Sequence, residues 1–142
     1  MRWSVTVEDY VVYHARSTST SDGGYMTVGV LGSNGSTVPL GFHTRVWKWD
    51  EMATLQWTHD WEWGSSSSSM RPDLYASLDG NVYVHSIRSG AAADYMHVAR
   101  FGDAGLQWED SFAVNMGSFH FAGRDTGFIL LSHVADSLYI TQ

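Results

Sequence analysis

The sequence predicts an all-β domain, and three observations carry that prediction. Short alternating or β-branched runs recur about every 8 to 12 residues, the spacing of a chain of short strands. Gly, Asp, Asn and Ser fill the gaps between them. Helical periodicity is hard to find anywhere in the 142 residues.

Twelve strands are expected in order. The first, at 3–7, alternates Trp3, Val5 and Val7 with polar residues. The second and third, at 11–16 and 25–31, flank Asp22-Gly23-Gly24. Gly32-Ser33-Asn34-Gly35 follows and reads as a hairpin turn, not a strand-to-helix phosphate loop. The fourth strand, 39–49, starts at Pro39, where a proline is tolerated, and the fifth, 54–63, alternates Trp with acidic residues. Five serines at 65–69 read as a flexible surface loop, and Arg71-Pro72-Asp73 is a turn signal. Strands at 74–78 and 82–87 flank Asp79-Gly80, and strands at 95–101 and 106–114 flank Gly102 and Gly105. Strands at 118–122 and 128–134 flank Asp125-Thr126-Gly127, and 138–142 closes the chain.

Composition bounds the rest. A mass of 15.8 kDa fits one domain, residues 1–142. Apolar residues reach 44% and charged residues 16%, which excludes a disordered tail. The net charge is −7 and Lys48 is the only lysine, so no basic patch exists for nucleic acid or an anionic membrane surface. Absence of Cys removes disulfides, zinc-thiolate sites and thiol nucleophiles. Met1-Arg2-Trp3-Ser4-Val5 does not look like a signal peptide, and no run approaches a membrane span. A soluble protein is expected, cytoplasmic or virion/extracellular, with no cofactor and no metal.

Repeats organise the strands. Tyr25-Met26-x-Val28 with Gly32-x-x-Gly35 matches Tyr95-Met96-x-Val98 with Gly102-x-x-Gly105. Leu55-Gln56-Trp57 recurs as Leu106-Gln107-Trp108. The marks suit three four-strand units, at 9–64, 70–116 and 117–142, the last borrowing the strand at 3–7. Trp57, Trp108 and Trp3 then stand early in the last strand of each unit.

Leu74-Tyr75-Ala76-Ser77-Leu78-Asp79-Gly80 through Phe119-His120-Phe121-Ala122-Gly123 resembles the repeats of fascin-like, lectin-like β-trefoils. That resemblance implies a closed, pseudo-threefold monomer. Asp103-Ala104-Gly105-Leu106-Gln107-Trp108 resembles the Asp-box hairpin of sialidase-like propellers, with Phe101 at the Ser position and Gln107 at the Thr position. It implies β-propeller blades completed by oligomerisation, and a structural turn outside any active site. A β-sandwich or jelly roll is the third architecture.

Five of the seven Trp fall at 47, 49, 57, 61 and 63. In a strand at 54–63, Trp57, His59, Trp61 and Trp63 share one face, and Asp60 and Glu62 the other. Trp47 and Trp49 share a face of the preceding strand. Core packing with cross-strand aromatic pairs is one outcome. An exposed platform is the other: Trp47, Trp49, Trp61 and Trp63 would stack on sugar rings, with Asp60 and Glu62 accepting hydroxyl hydrogen bonds. The seven His contain no His-x-His or HExxH pair, and no GxSxG elbow supports a Ser nucleophile. Asp60/Glu62 and Glu109/Asp110 are the carboxylate pairs a glycosidase would need, without a motif that selects them. The expected function is a non-enzymatic, carbohydrate-binding recognition module. The alternative is a virion or other assembly protein that uses the Trp hairpin as an oligomer or receptor-binding interface; a homo-oligomer is possible, and a stable multimer would favour this alternative over a sugar-binding monomer.

Overall fold

Two Asp-Gly turns set the architecture. In the first, Thr20 N–H donates to Gly24 O (3.0 Å) and Gly23 N–H to Thr20 O (3.1 Å). Asp22 Oδ1 accepts from Thr20 Oγ1 (2.6 Å) and Gly24 N–H (3.1 Å). The second copies it: Ser77 N–H donates to Asn81 O (2.8 Å), Gly80 N–H to Ser77 O (3.2 Å), and Asp79 Oδ1 accepts from Ser77 Oγ and Asn81 N–H. Gly23 and Gly80 carry the left-handed φ values, +83° and +85°, that such a turn requires of its glycine.

The computed structural model describes the backbone of residues 10–33, 42–63, 72–89, 94–114, 119–124, 127–134 and 137–141, and side chains within 15–32, 43–61, 72–87 and 94–113. These residues form eleven strands and no helix. They are β1 Tyr10–Ser19, β2 Tyr25–Ser33, β3 Phe42–Trp49, β4 Leu55–Trp63, β5 Asp73–Ala76, β6 Val82–Ser89, β7 Asp94–Gly102, β8 Gly105–Val114, β9 Phe119–Arg124, β10 Gly127–Val134 and β11 Ser137–Thr141. The all-β class is therefore observed. The expected strand at 3–7 and the serine run lie outside the described residues. The strand expected at 74–78 ends at Ala76, because Ser77 and Leu78 belong to the second Asp-Gly turn.

The strands pair antiparallel with their sequence neighbours into three sheets, β1-β2-β3-β4, β5-β6-β7-β8 and β9-β10-β11. No closed barrel forms among the described residues, so the expected closed trefoil core is not seen there. The first two sheets share every local device. Each opens its second hairpin strand after an Asp-Gly turn, and each has a one-residue register shift late in its third strand, at Lys48/Trp49 and at Arg100/Phe101. Each third strand sends a cation back to its own turn: Lys48 to Asp22 and Arg100 to Asp79 (2.8 Å). Leu55-Gln56-Trp57 and Leu106-Gln107-Trp108 begin the fourth strands. The Tyr-Met-x-Val match is different, since Tyr25 starts β2, a second strand, whereas Tyr95 lies in β7, a third strand. That similarity reflects two strands with the same burial pattern, not equivalent positions.

Period-two alternation and the registers assign the faces. Met26, Lys48 and Trp57 form one row; Val28, Val46 and His59 the next; Val30, Thr44 and Trp61 the third. This face packs on the rows Val82–Phe101, Val84–Ala99–Glu109 and Ser86–His97–Ser111 of the second sheet. Val28, Val46, Val84, Ala99 and Phe101 are fully excluded from water in this core, and each large side chain so buried contributes about 1.5–3 kcal/mol. Lys48 lies on the packed face of its sheet. Its counterpart Arg100, in the row Tyr83–Arg100–Trp108, faces away from the first sheet, where Ile87, Met96 and Val98 form a second core with Trp108 and Phe112. Equivalent faces therefore do not meet: the sheets stack head to tail. β1 approaches β5, and β5 approaches β9, in the same succession.

Candidate functional site

Five side chains from three strands converge where the first two sheets meet. β4 brings His59 and Trp61 onto the packed face, two residues apart. In the second sheet β7 brings His97, and β8 brings Glu109 and Ser111, again two apart; Ser111 is the direct cross-strand partner of His97. Glu109 Oε2 is the hub. It accepts the indole N–H of Trp61 at 2.7 Å and lies 3.3 Å from His97 Nε2 and 3.4 Å from His59 Nε2. His97 Nδ1 sits 2.5 Å from Ser111 Oγ. With Glu109 ionised, His97 is satisfied as the tautomer that donates from Nε2 and accepts from Ser111 at Nδ1.

Aromatic rings wall this polar group. The Trp61 ring is 4.7 Å from the His97 ring, His59 meets Trp61 edge-on at 5.6 Å, and Phe101 takes both Trp57 and His59 at 5.5 Å. Trp57 N–H donates to Asp103 O at 2.9 Å, clipping β4 to the β7–β8 hairpin. Deeper in the seam, the Thr44 and Ser86 hydroxyls bond each other at 3.3 Å.

The site is partly open. The Glu109 side chain is 40% exposed and that of His97 only 13%. Burial pushes the His97 pKa below the ordinary imidazole range, and its bond to Glu109 opposes that only in part. Burial raises the Glu109 pKa, but the Trp61 and His97 hydrogen bonds outweigh it and hold the carboxyl below the usual range. Among the described residues no group of three or more His, Asp or Glu side chains is arranged to hold a metal ion, and no helix is long and apolar enough to cross a membrane.

The sequence-predicted site residues scatter. Trp47 and Trp49, 5% and 6% exposed, are buried with Leu31 on the face of the first sheet opposite the seam. Trp61, 6% exposed, is buried in the seam. These three are core residues and form no shared exposed platform. Alternation divides them between two faces, and each face is covered. Asp60 lies on the side opposite Trp61, held by Arg45 through two bonds at 2.5 and 2.7 Å. Glu62 and Trp63 stand opposite His43 and Phe42 in the β3–β4 register, and their side chains lie outside those described. Glu109, His97 and Ser111 were not singled out as ligand-binding residues. In the sequence Glu109 stands out as half of the Glu109/Asp110 carboxylate pair and Ser111 only through the alternation of polar residues at 109 and 111, and nothing ties them or His97 to Trp61.

No family model, curated protein or solved structure matches the chain.

Proposed function

We propose that this protein is a non-enzymatic all-β recognition module and that its ligand is carbohydrate, bound at the open edge of the seam. The observation that carries this reading is the Glu109 cluster. A half-exposed carboxylate, an exposed Ser111 hydroxyl and the His97 imidazole lie beside aromatic rings, the mixture of acceptors, donors and apolar surface that a sugar ring needs. Trp61 serves the site by fixing the carboxylate, not by stacking on ligand. Glycan-array and titration experiments on the wild type, Glu109→Ala and Ser111→Ala test it. Sugar binding lost in both variants is the expected result; no sugar bound by the wild type ends the carbohydrate reading.

A second reading is favoured by a different observation. Trp47, Trp49 and Trp61 are consumed in sheet faces, and the sheets stack head to tail. Head-to-tail packing, repeated between copies, builds rings or filaments. An assembly role therefore predicts a stable multimer in sedimentation at micromolar concentration, whereas the recognition module sediments as a monomer. The stacking of two like four-stranded sheets also supports an arrangement of propeller-blade type over a closed trefoil.

A further inference from the structure

We propose that Glu109, His59 and His97 form a proton-operated latch that ties the first two sheets together while the imidazoles are neutral and lets go when both are protonated. The inference rests on the seam geometry and does not depend on the ligand reading. One carboxylate oxygen is faced by groups from both sheets: it accepts the Trp61 N–H of β4 and pairs with His97 Nε2 of β7, and His59 Nε2 of β4 lies 3.4 Å away, buried and without a hydrogen bond. With both rings neutral, this oxygen is a hydrogen-bond hub that crosses the seam. A first proton makes a balanced ion pair. A second proton places two cations within 3.4 Å of the same oxygen, one from each sheet, in a place where burial limits their solvation.

Among the described residues no other acid on this face relieves that crowding; Arg16, paired with Val28 at the β1 edge of the His59 row, is a further cation, exposed and donating to Ala15 O. Lys48 shares the face of the first sheet but is consumed at its far end by Asp22 and Thr20. β6 contributes Val82, Val84 and Ser86. Asp60 with Arg45, and Arg100 with Asp79, occupy the opposite faces of their sheets. Asp110 also points to the opposite face; its field favours protonated His97 but is the weakest of the influences on that ring, whereas His59 opposes it.

The test is NMR on the full chain between pH 7.5 and 5, following the Trp61 indole N–H and the ring protons of His59 and His97. Trp61 is the reporter because its N–H is the bond across the seam that ends on Glu109. Its protection from solvent exchange, relative to a free indole at each pH, is expected to fall about tenfold as the second imidazole protonates. In His59→Gln the His97 midpoint is expected to rise, because its cationic neighbour is gone. Protection of Trp61 that stays constant from pH 7.5 to 5 in the wild type overturns the latch, whether or not any variant folds. An unmoved His97 midpoint in folded His59→Gln overturns it as well.

Discussion

Lys48 Nζ lies 2.7 Å from both carboxylate oxygens of Asp22 and 2.8 Å from Thr20 Oγ1. The lysine is 1% exposed, so its three protons find their acceptors within one turn. The bond holds the Asp22 pKa down at about 2, with the Lys48 hydrogen bond as the largest cause. It also explains Gly24: a Cβ there would lie 2.2 Å from Trp49 O and 2.8 Å from Lys48 Nζ. Arg100 and Asp79 repeat the pairing in the second sheet, where the arginine is far more exposed.

Asp22→Asn is expected to destabilise the protein by about 2–4 kcal/mol, because a buried ammonium keeps only neutral partners. Asp79→Asn is expected to cost less, since water reaches Arg100. Urea midpoints of the two variants compare them directly, and equal losses would count against burial as the cause.

Ala53 and Gly24 predict opposite outcomes. Ala53 adopts φ +62° in the β3–β4 hairpin, a left-handed conformation that strains a residue with a Cβ. Ala53→Gly is expected to raise stability, or leave it level, within about 1 kcal/mol. Gly24→Ala meets a backbone oxygen that cannot move without breaking the turn, and is expected to unfold the first sheet. Thermal melts of the pair give the check.

Acid is expected to destabilise the fold well before its carboxylates are neutralised. His85 is buried, and burial lowers its pKa from 6.5 to about 4. The unfolded chain therefore takes up this proton first, so the stability is complete above pH 6.5 and is lost as pH falls towards 4. The share of His85 is on the order of 2–4 kcal/mol. The depressed His97 adds loss with the same sign in the acid limb below the ordinary imidazole range, and Glu109 adds more below the usual carboxylate range. Urea midpoints from pH 8 to 4 should fall steadily, and His85→Gln should flatten the slope.

Trp61→Phe keeps most of the seam's apolar volume and removes the indole donor. A loss of about 1–3 kcal/mol is expected, the cost of leaving Glu109 short of a partner plus a small cavity. Arg45→Ala breaks a bidentate pair with exposed Asp60 on the outer side of the same strands and is expected to cost under about 1 kcal/mol. A larger loss for Arg45→Ala than for Trp61→Phe in urea denaturation would reverse the ranking of seam over surface.

The sequence by itself determined the all-β class, the order of strands and the two Asp-Gly turns, because alternation and turn chemistry are local properties of the backbone. It also determined that Trp57, His59 and Trp61 share a face, which follows from a period of two. It could not say that this face is covered. Whether a Trp is core or platform depends on which sheet lies across from it, and that partner stands about 50 residues further along the chain. Separations of 48 and 38 residues hid Glu109 from Trp61 and His97 from His59. Only the head-to-tail stacking of the two sheets brought those four side chains to one place and turned the tryptophan-rich hairpin from an exposed platform into a wall of the core.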